Sequence, residues 1–357
     1  MIIKKLTCKN FRNFCNISFF PSDSVNVIFG NNAEGKTNLL EAIWLFCGAK
    51  SFRGTKDAEL LKFNEQKAEN EIEYYFGDIL KKSKIIIEQK RTAEISGKTV
   101  SPGTLAGSFY CVVFSPLDLN IINDGPAVRR KFLDTAIGQI YPLYNLKLRK
   151  YHQAVKQRNT LLRDINFHPD IEPLLDDFEK SLASSVFEIQ KYRRRYIEIL
   201  KKAAISIYDG ISKEKEKLNI SYFSEVKEGL NISEIQNLLF LKRKEDIITG
   251  NTSIGPHRDD ILIFLNDKMI KSYGSQGQKR SAAISLKLAE ANVLKDITGE
   301  YPVVLLDDVM SELDKERQSF ILNNIKNWQV FITCCDPSNI NGLEKGKVFK
   351  MKNGNID

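Results

Sequence analysis

Short apolar runs at residues 2–6 and 25–29, separated by Phe-Pro and Asn-rich breaks, predict β-strands at the start of the chain. The second run leads into Gly30-Asn31-Asn32-Ala33-Glu34-Gly35-Lys36-Thr37-Asn38, after which Leu39, Leu40, Ile43, Trp44 and Phe46 recur at helical spacing. The order is therefore strand, glycine loop, helix. Further strand-like runs at 72–76, 84–89 and 109–114 predict an antiparallel extension beside this core.

From about residue 129 to 250 strand signals thin out and Lys, Arg, Glu and Leu dominate. Leu133, Ile137, Ile140 and Tyr144, then Leu175, Phe178, Leu182, Val186, Ile189, Tyr192, Tyr196, Leu200, Ala203 and Ile207, follow helical spacing. The seam is too short for a long coiled-coil arm, so amphipathic helices packed on one another are expected. Strand signals return at 261–265, closed by the turn Asn266-Asp267-Lys268, and a helix is expected over 281–294. The uninterrupted apolar run at 303–306 reads as a strand buried on both faces, and 330–332 as another. The pattern predicts an α/β fold: one domain built from both ends of the chain, 1–128 and 251–357, interrupted by a helical insertion over 129–250.

Composition narrows the functions. With 357 residues, 42% of them hydrophobic, the chain can bury a core without staples. No stretch approaches the roughly 20 apolar residues that span a bilayer, and the N-terminus lacks a signal-peptide core. A soluble cytoplasmic protein with no membrane partner is expected. Six cysteines without paired spacing and three scattered histidines set aside zinc and serine-protease-like chemistry. The net charge of +8 gives the protein a field that attracts polyanions, with nucleic acid the natural partner.

Three segments carry chemistry. Gly30 to Thr37 matches G-x-x-x-x-G-K-[ST] in the strand-loop-helix context that phosphate binding requires. Loop amides and the helix N-terminus would face phosphate oxygens, Lys36 would reach the β and γ phosphates, and Thr37 would ligate magnesium. Without an anion, a lysine at a helix N-terminus opposes the helix dipole. The second segment is Asp307-Asp308, delivered by an apolar strand to the sheet edge where α/β proteins bind ligands. Asp307 suits the magnesium side, and Asp308, pointing the other way, suits polarising the attacking water. The third is Ser275-Gln276-Gly277-Gln278 before a helix, which reads either as a helix cap or as a second anion-binding surface.

Together these segments resemble the SMC and ABC-type ATPases: Ser275-Gln276-Gly277-Gln278 their signature motif, Asp307-Asp308 their Walker B pair, Ser311-Glu312-Leu313-Asp314 their D-loop. Within that group, Gly125-Pro126-Ala127-Val128-Arg129-Arg130-Lys131-Phe132-Leu133-Asp134 and Gly255-Pro256-His257-Arg258-Asp259-Asp260 are similar to the RecF family, over essentially the whole chain. The resemblance implies an ATP- and magnesium-dependent homodimer in which Ser275 meets the ATP of the other chain and Asp314 lies across the interface. It also implies slow, DNA-stimulated hydrolysis, binding at gapped or single-strand to double-strand junction DNA, and RecR, RecO and RecA as partners. Arg12 resembles an early phosphate-side arginine, and Arg53 the arginine linking DNA contact to hydrolysis.

The chain departs from the wider superfamily where Asp308 replaces glutamate and where Ser115-Pro116-Leu117-Asp118 replaces the Q-loop glutamine. Thr333-Cys334-Cys335-Asp336 stands in place of the switch histidine, which brings Asp336 forward for that role. For DNA, Arg53, Arg129, Arg130 and Lys131 are the expected contacts, while basic runs such as Lys242-Arg243-Lys244 commonly mark solvated helix faces. A rival reading is the ATPase subunit of an ABC-type transporter, or another SMC-like ATPase.

Overall fold

Alternation and turn chemistry build the N-terminal strands: β1 (Ile2–Phe11), β2 (Phe14–Phe19) and β3 (Val25–Phe29), followed by helix α1 (Lys36–Trp44). Then come β4 (Ala68–Phe76), β5 (Ile79–Ile87), β6 (Arg91–Ile95), β7 (Lys98–Val100) and β8 (Cys111–Phe114). A helical stretch holds α2 (Asn120–Asn123), α3 (Pro126–Ile140), α4 (Pro142–Asp164) and α5 (Leu175–Ser212). It continues through β9 (Leu218–Phe223), α6 (Ile232–Thr249), β10 (Asp260–Leu265), β11 (Lys268–Met269) and α7 (Ile270–Tyr273). The chain ends with α8 (Gln276–Thr298), β12 (Val303–Asp307), α9 (Lys315–Asn324), β13 (Val330–Cys334), β14 (Gly346–Lys352) and β15 (Asn355–Ile356). The computed structural model describes residues 1–165, 167–336 and 346–357.

Contacts divide the chain into two units, the first comprising residues 1–119, 203–216 and 275–357. Its central sheet has the order β15-β14-β3-β13-β12-β8, with β14, β3, β13, β12 and β8 mutually parallel. All five residues of β12 and of β13 are buried, as in a parallel sheet covered on both faces. Helix α1 packs on β12 and β13, and α8 on β8. The second sheet, β2-β1-β4-β5-β6-β7, is antiparallel, and along β4 Ala68, Asn70, Ile72 and Tyr74 point inward in strict alternation. The strand expected at 84–89 begins earlier, at Ile79, because Gly77 at φ 55 and Asp78 form a two-residue hairpin pairing Phe76 with Ile79.

The second unit comprises residues 120–202 and 217–274. The sequence placed these limits at 128 and 250, with 203–216 inside the insertion, and the second unit is not purely helical. It contains the antiparallel sheet β11-β10-β9. The run 261–265, assigned from sequence to the C-terminal lobe, pairs with Leu218–Phe223 inside this unit. The single strand β9 was hidden because Lys- and Glu-rich helical segments flank six residues that show their alternation only once β10 lies beside them. Buried ion pairs tie the helices: Arg158 donates to Asp246 at 2.6 Å and to Glu179 at 3.1 Å, and Arg243 donates to Glu179 at 2.7 Å. Such charges tolerate burial because each finds a partner. No helix among the described residues is long and apolar enough to cross a membrane.

Candidate nucleotide-binding site

The parallel strands end together, and their C-terminal edges assemble the site. From β3 the chain enters the loop 30–35, where Ala33 (φ 66) and Gly35 (φ 115) adopt left-handed conformations. A Cβ on Gly35 would lie 2.8 Å from the Asn13 side chain, and one on Gly30 only 2.3 Å from the carbonyl oxygen of Met351. Close approach therefore requires glycine at both positions, and at Gly35 the left-handed backbone requires it as well. Gly35 is also the N-cap of α1 and brings no side chain to cap it, so the positive end of α1 is directed at the loop. Lys36 is 4% exposed and curls back over the loop, its Nζ donating to the carbonyls of Gly30 at 2.8 Å and Asn31 at 2.9 Å. A lysine ammonium beside a glycine loop at a helix N-terminus is chemistry suited to an anion such as phosphate.

Thr37 Oγ1 donates to Asp307 Oδ1 at 2.8 Å, joining the start of α1 to the end of β12. The same carboxylate accepts from Thr333 Oγ1 at 3.0 Å, across the register that pairs Asp307 with Thr333. Burial pushes the Asp307 carboxyl above its ordinary range; the two threonine hydroxyls pull it back, the neighbouring Asp308 raises it further and Arg53 lowers it. Asp308 sits at φ 52, its amide donating to Thr333 Oγ1 at 2.9 Å. Aspartate tolerates that left-handed conformation better than glutamate does, which gives a local reason for the shorter acid here. Cys335 Sγ lies 4.0 Å from Lys36 Nζ, and the exposed Asp336 follows it.

Both flanking arginines turn to α1. Arg12 donates to Glu41 through Nε at 2.8 Å and Nη2 at 3.0 Å, and also to Thr55 Oγ1 and the Glu59 carbonyl, both at 2.8 Å. Its guanidinium is thus committed to a buried carboxylate, where the sequence pointed to a phosphate. Arg53 is more exposed, donating to Asn38 Oδ1 at 3.0 Å with Glu41 3.8 Å away. Ser51 also donates to Glu41, making that residue a hub. Sequence reasoning passed over Glu41, although a carboxylate within the apolar run Leu39-Leu40-Glu41-Ala42-Ile43 was a legible signal. Thr333, a polar residue within the apolar strand β13, was given no role of its own from sequence although it carried a similar signal.

The segment 275–278 forms a capping box: Ser275 Oγ accepts from the Gln278 amide at 3.2 Å, and the Gln278 side chain accepts from the Ser275 amide at 2.7 Å. Ser275 and Gln276 remain exposed. Asp314 is likewise exposed and caps α9, accepting from the Arg317 amide at 2.9 Å. Among the described residues neither Ser275 nor Asp314 hydrogen-bonds to the loop 30–35 of the same chain. The structure therefore shows two constellations, one around Lys36, Thr37 and Asp307, the other around Ser275 and Asp314.

A family model described as an AAA domain matches residues 5–327. The DNA replication and repair protein RecF of Ruminiclostridium cellulolyticum is 39% identical over 100% of this chain and 99% of its own length. The protein of that name from Clostridium perfringens is 40% identical, with the same coverage. The chain belongs to the RecF family. A solved structure of the recombination mediator protein RecF with an ATP analogue (ATPrS), in the RecFOR pathway, superimposes with a TM-score of 0.93 at 38% identity, over 99% of this chain and 97% of that one. A RecF structure with ATP gives 0.92 at 37% identity, over 100% of this chain and 97% of that one. An Smc head domain from Pyrococcus furiosus shares the fold, with a TM-score of 0.55 at 15% identity, over 100% of this chain and 95% of that one.

One expected DNA contact of this RecF-family chain is corrected by its surroundings. Arg129 is 7% exposed and saturated: it donates to both Asp260 oxygens, at 2.7 and 2.8 Å, and to the Asp124 carbonyl at 2.8 Å. It holds two family motifs together inside the second unit. Arg130 is half-buried and donates to the Asp259 carbonyl at 2.7 Å, whereas Lys131 is exposed. A basic run on a helix contains both inward and outward positions, and only packing separates them.

Proposed function

We propose that this chain is an ATP-dependent DNA-binding protein of recombinational repair and replication restart, closing as a homodimer around ATP at gapped or single-strand to double-strand junction DNA. The observation that carries the reading is the pairing of Thr37 with Asp307 at 2.8 Å beside a lysine-bearing phosphate loop, while Ser275 and Asp314 stand exposed and unused by that loop. The names of the full-length relatives and of the ATP-bound RecF structures support it, and they favour it over a transporter subunit.

The donor set fits magnesium. A threonine hydroxyl and a buried carboxylate are hard oxygen ligands, and a divalent cation would offset the burial that raises the Asp307 carboxyl. Thr37 and Asp307 would hold the ion, which supplies charge neutralisation at the β and γ phosphates. Lys36 and the amides at the start of α1 bind and orient the phosphates. Asp308 accepts a proton from the attacking water. Ser275 of one chain completes the site of the other, with Asp314 at the seam. Arg53, Arg130 and Lys131 are the remaining DNA contacts, and DNA bound near Arg53 stimulates hydrolysis through Asn38 and Glu41. RecR, RecO and RecA are the partners this reading implies.

The test is binding to gapped, single-stranded and duplex DNA, with and without ATP, across a salt series. Tighter, junction-selective binding with ATP is expected. Equal binding to all three substrates regardless of ATP would reduce the protein to a nonspecific basic surface.

A further inference from the structure

Arg317 lies on the first turn of α9 and spends each nitrogen of its guanidinium on a different anchor. Nε donates to Ser281 Oγ on α8 at 3.0 Å, Nη2 to the Gly277 carbonyl at 3.4 Å, and Nη1 to the Asp314 carboxylate. A second strap runs beside it, since Arg280 of α8 donates to the Glu312 carbonyl at 2.9 Å. A Cβ on Gly277 would come within 3.4 Å of Arg317 Nη2, so a longer side chain there would fill the space that the guanidinium crosses. On its other side the 275–278 turn is held by Glu216, which accepts from Gln278 Nε2 and from Tyr208 Oη, both at 2.6 Å.

We propose that Arg317 is a positioning residue that bolts the 275–278 turn to Asp314, so that both present themselves to the ATP of a second chain as one rigid face. The inference rests on the two-chain ATP site proposed above. Ser275 and Asp314 are 39 positions apart and cap two separate helices, so without a link between the caps each end would fray independently of the other. An ATP-closed interface needs both in register at once. A planar fork with three donor directions achieves this, and the single ammonium of lysine does not.

Arg317→Ala should leave ATP binding by the monomer unchanged while lowering ATP-driven dimerisation and turnover by about tenfold, as expected for losing several hydrogen bonds that keep the interface face in register. Hydrogen exchange at amides 278–281, measured without nucleotide, should speed up in the variant; unchanged protection would overturn the rigid link whatever the dimer does. Arg317→Lys, which retains the charge, should lie between the two, and wild-type turnover in it would also overturn the proposal. Mixing Arg317→Ala with Lys36→Ala should restore part of the activity, because one site then joins an intact Lys36 to a partner face with an intact Arg317. The control mixture is Ser275→Arg with Lys36→Ala. Recovery in the control alone would overturn the role of Arg317 and leave the two-chain site standing, whereas recovery in neither would remove both.

Discussion

Thr37 Oγ1 and Asp307 Oδ1 lie 2.8 Å apart although 270 positions separate them in the chain. One side chain starts a helix and the other ends a strand, and the parallel register of β3, β13 and β12 brings them together. In the function proposed above, a divalent cation inserts between these two hard oxygen ligands.

Asp307 should therefore cost stability when no metal nucleotide is bound. Burial raises its carboxyl in the folded state, so the folded protein binds that proton more tightly than the unfolded chain does. The cost is present above the folded value and vanishes as pH falls below the unfolded one. Asp307→Asn, which keeps an acceptor for Thr37 and Thr333, should raise the neutral-pH midpoint by roughly 2 °C, about 1 kcal/mol, and the gain should shrink towards acid pH. With magnesium and ATP the order should invert, since wild type alone gains fully from binding. Calorimetry at two pH values, with and without nucleotide, measures all four terms. A variant less stable than wild type without nucleotide at neutral pH would contradict this account.

Lys36→Ala should fold normally and lose ATP-dependent dimerisation. Among the described residues Lys36 Nζ bonds to two loop carbonyls and, at 4.0 Å, the Cys335 sulfur, so its removal should change stability by no more than about 1 kcal/mol. Circular dichroism would monitor the fold and sedimentation the dimer. Dimer formation with ATP in the variant would remove Lys36 from the site.

Asp308→Asn should keep ATP binding and slow hydrolysis at least about tenfold, because an amide does not accept the proton of the attacking water. Asparagine suits the test, since it tolerates the left-handed backbone at φ 52. Turnover equal to wild type would place the base elsewhere.

Arg129→Ala should behave as a stability mutant. Removing it leaves Asp260 as a buried, uncompensated carboxylate, a loss of about 3 kcal/mol or more. Lys131→Ala and Arg53→Ala should leave denaturant midpoints nearly unchanged and lower the salt slope of DNA binding by about one each. Urea unfolding alongside salt-dependent DNA titrations separates the two classes. An Arg129→Ala protein of wild-type stability and weakened DNA binding would restore that arginine as a contact.

The glycine loop before α1, the Asp307-Asp308 pair at a strand end and the split α/β domain were legible in the sequence because each is written locally: a glycine spacing, an apolar strand ending in acids, a change in apolar period. Whether a side chain faces ligand, solvent or core is set by groups far along the chain. Arg129 and Lys131 are both cations on one helix, yet one meets Asp260 and the other meets water. Arg12 finds Glu41, Thr333 finds Asp307, and Arg317 finds Gly277 and Ser281, none of which any spacing predicts. The strand at 218–223 likewise became a strand only through its pairing with 260–265. Local pattern determines elements and motifs because backbone geometry repeats over a few residues. The destination of a charge is decided by tertiary structure, since a buried ion must be paired by whatever the fold brings within 3 Å of it.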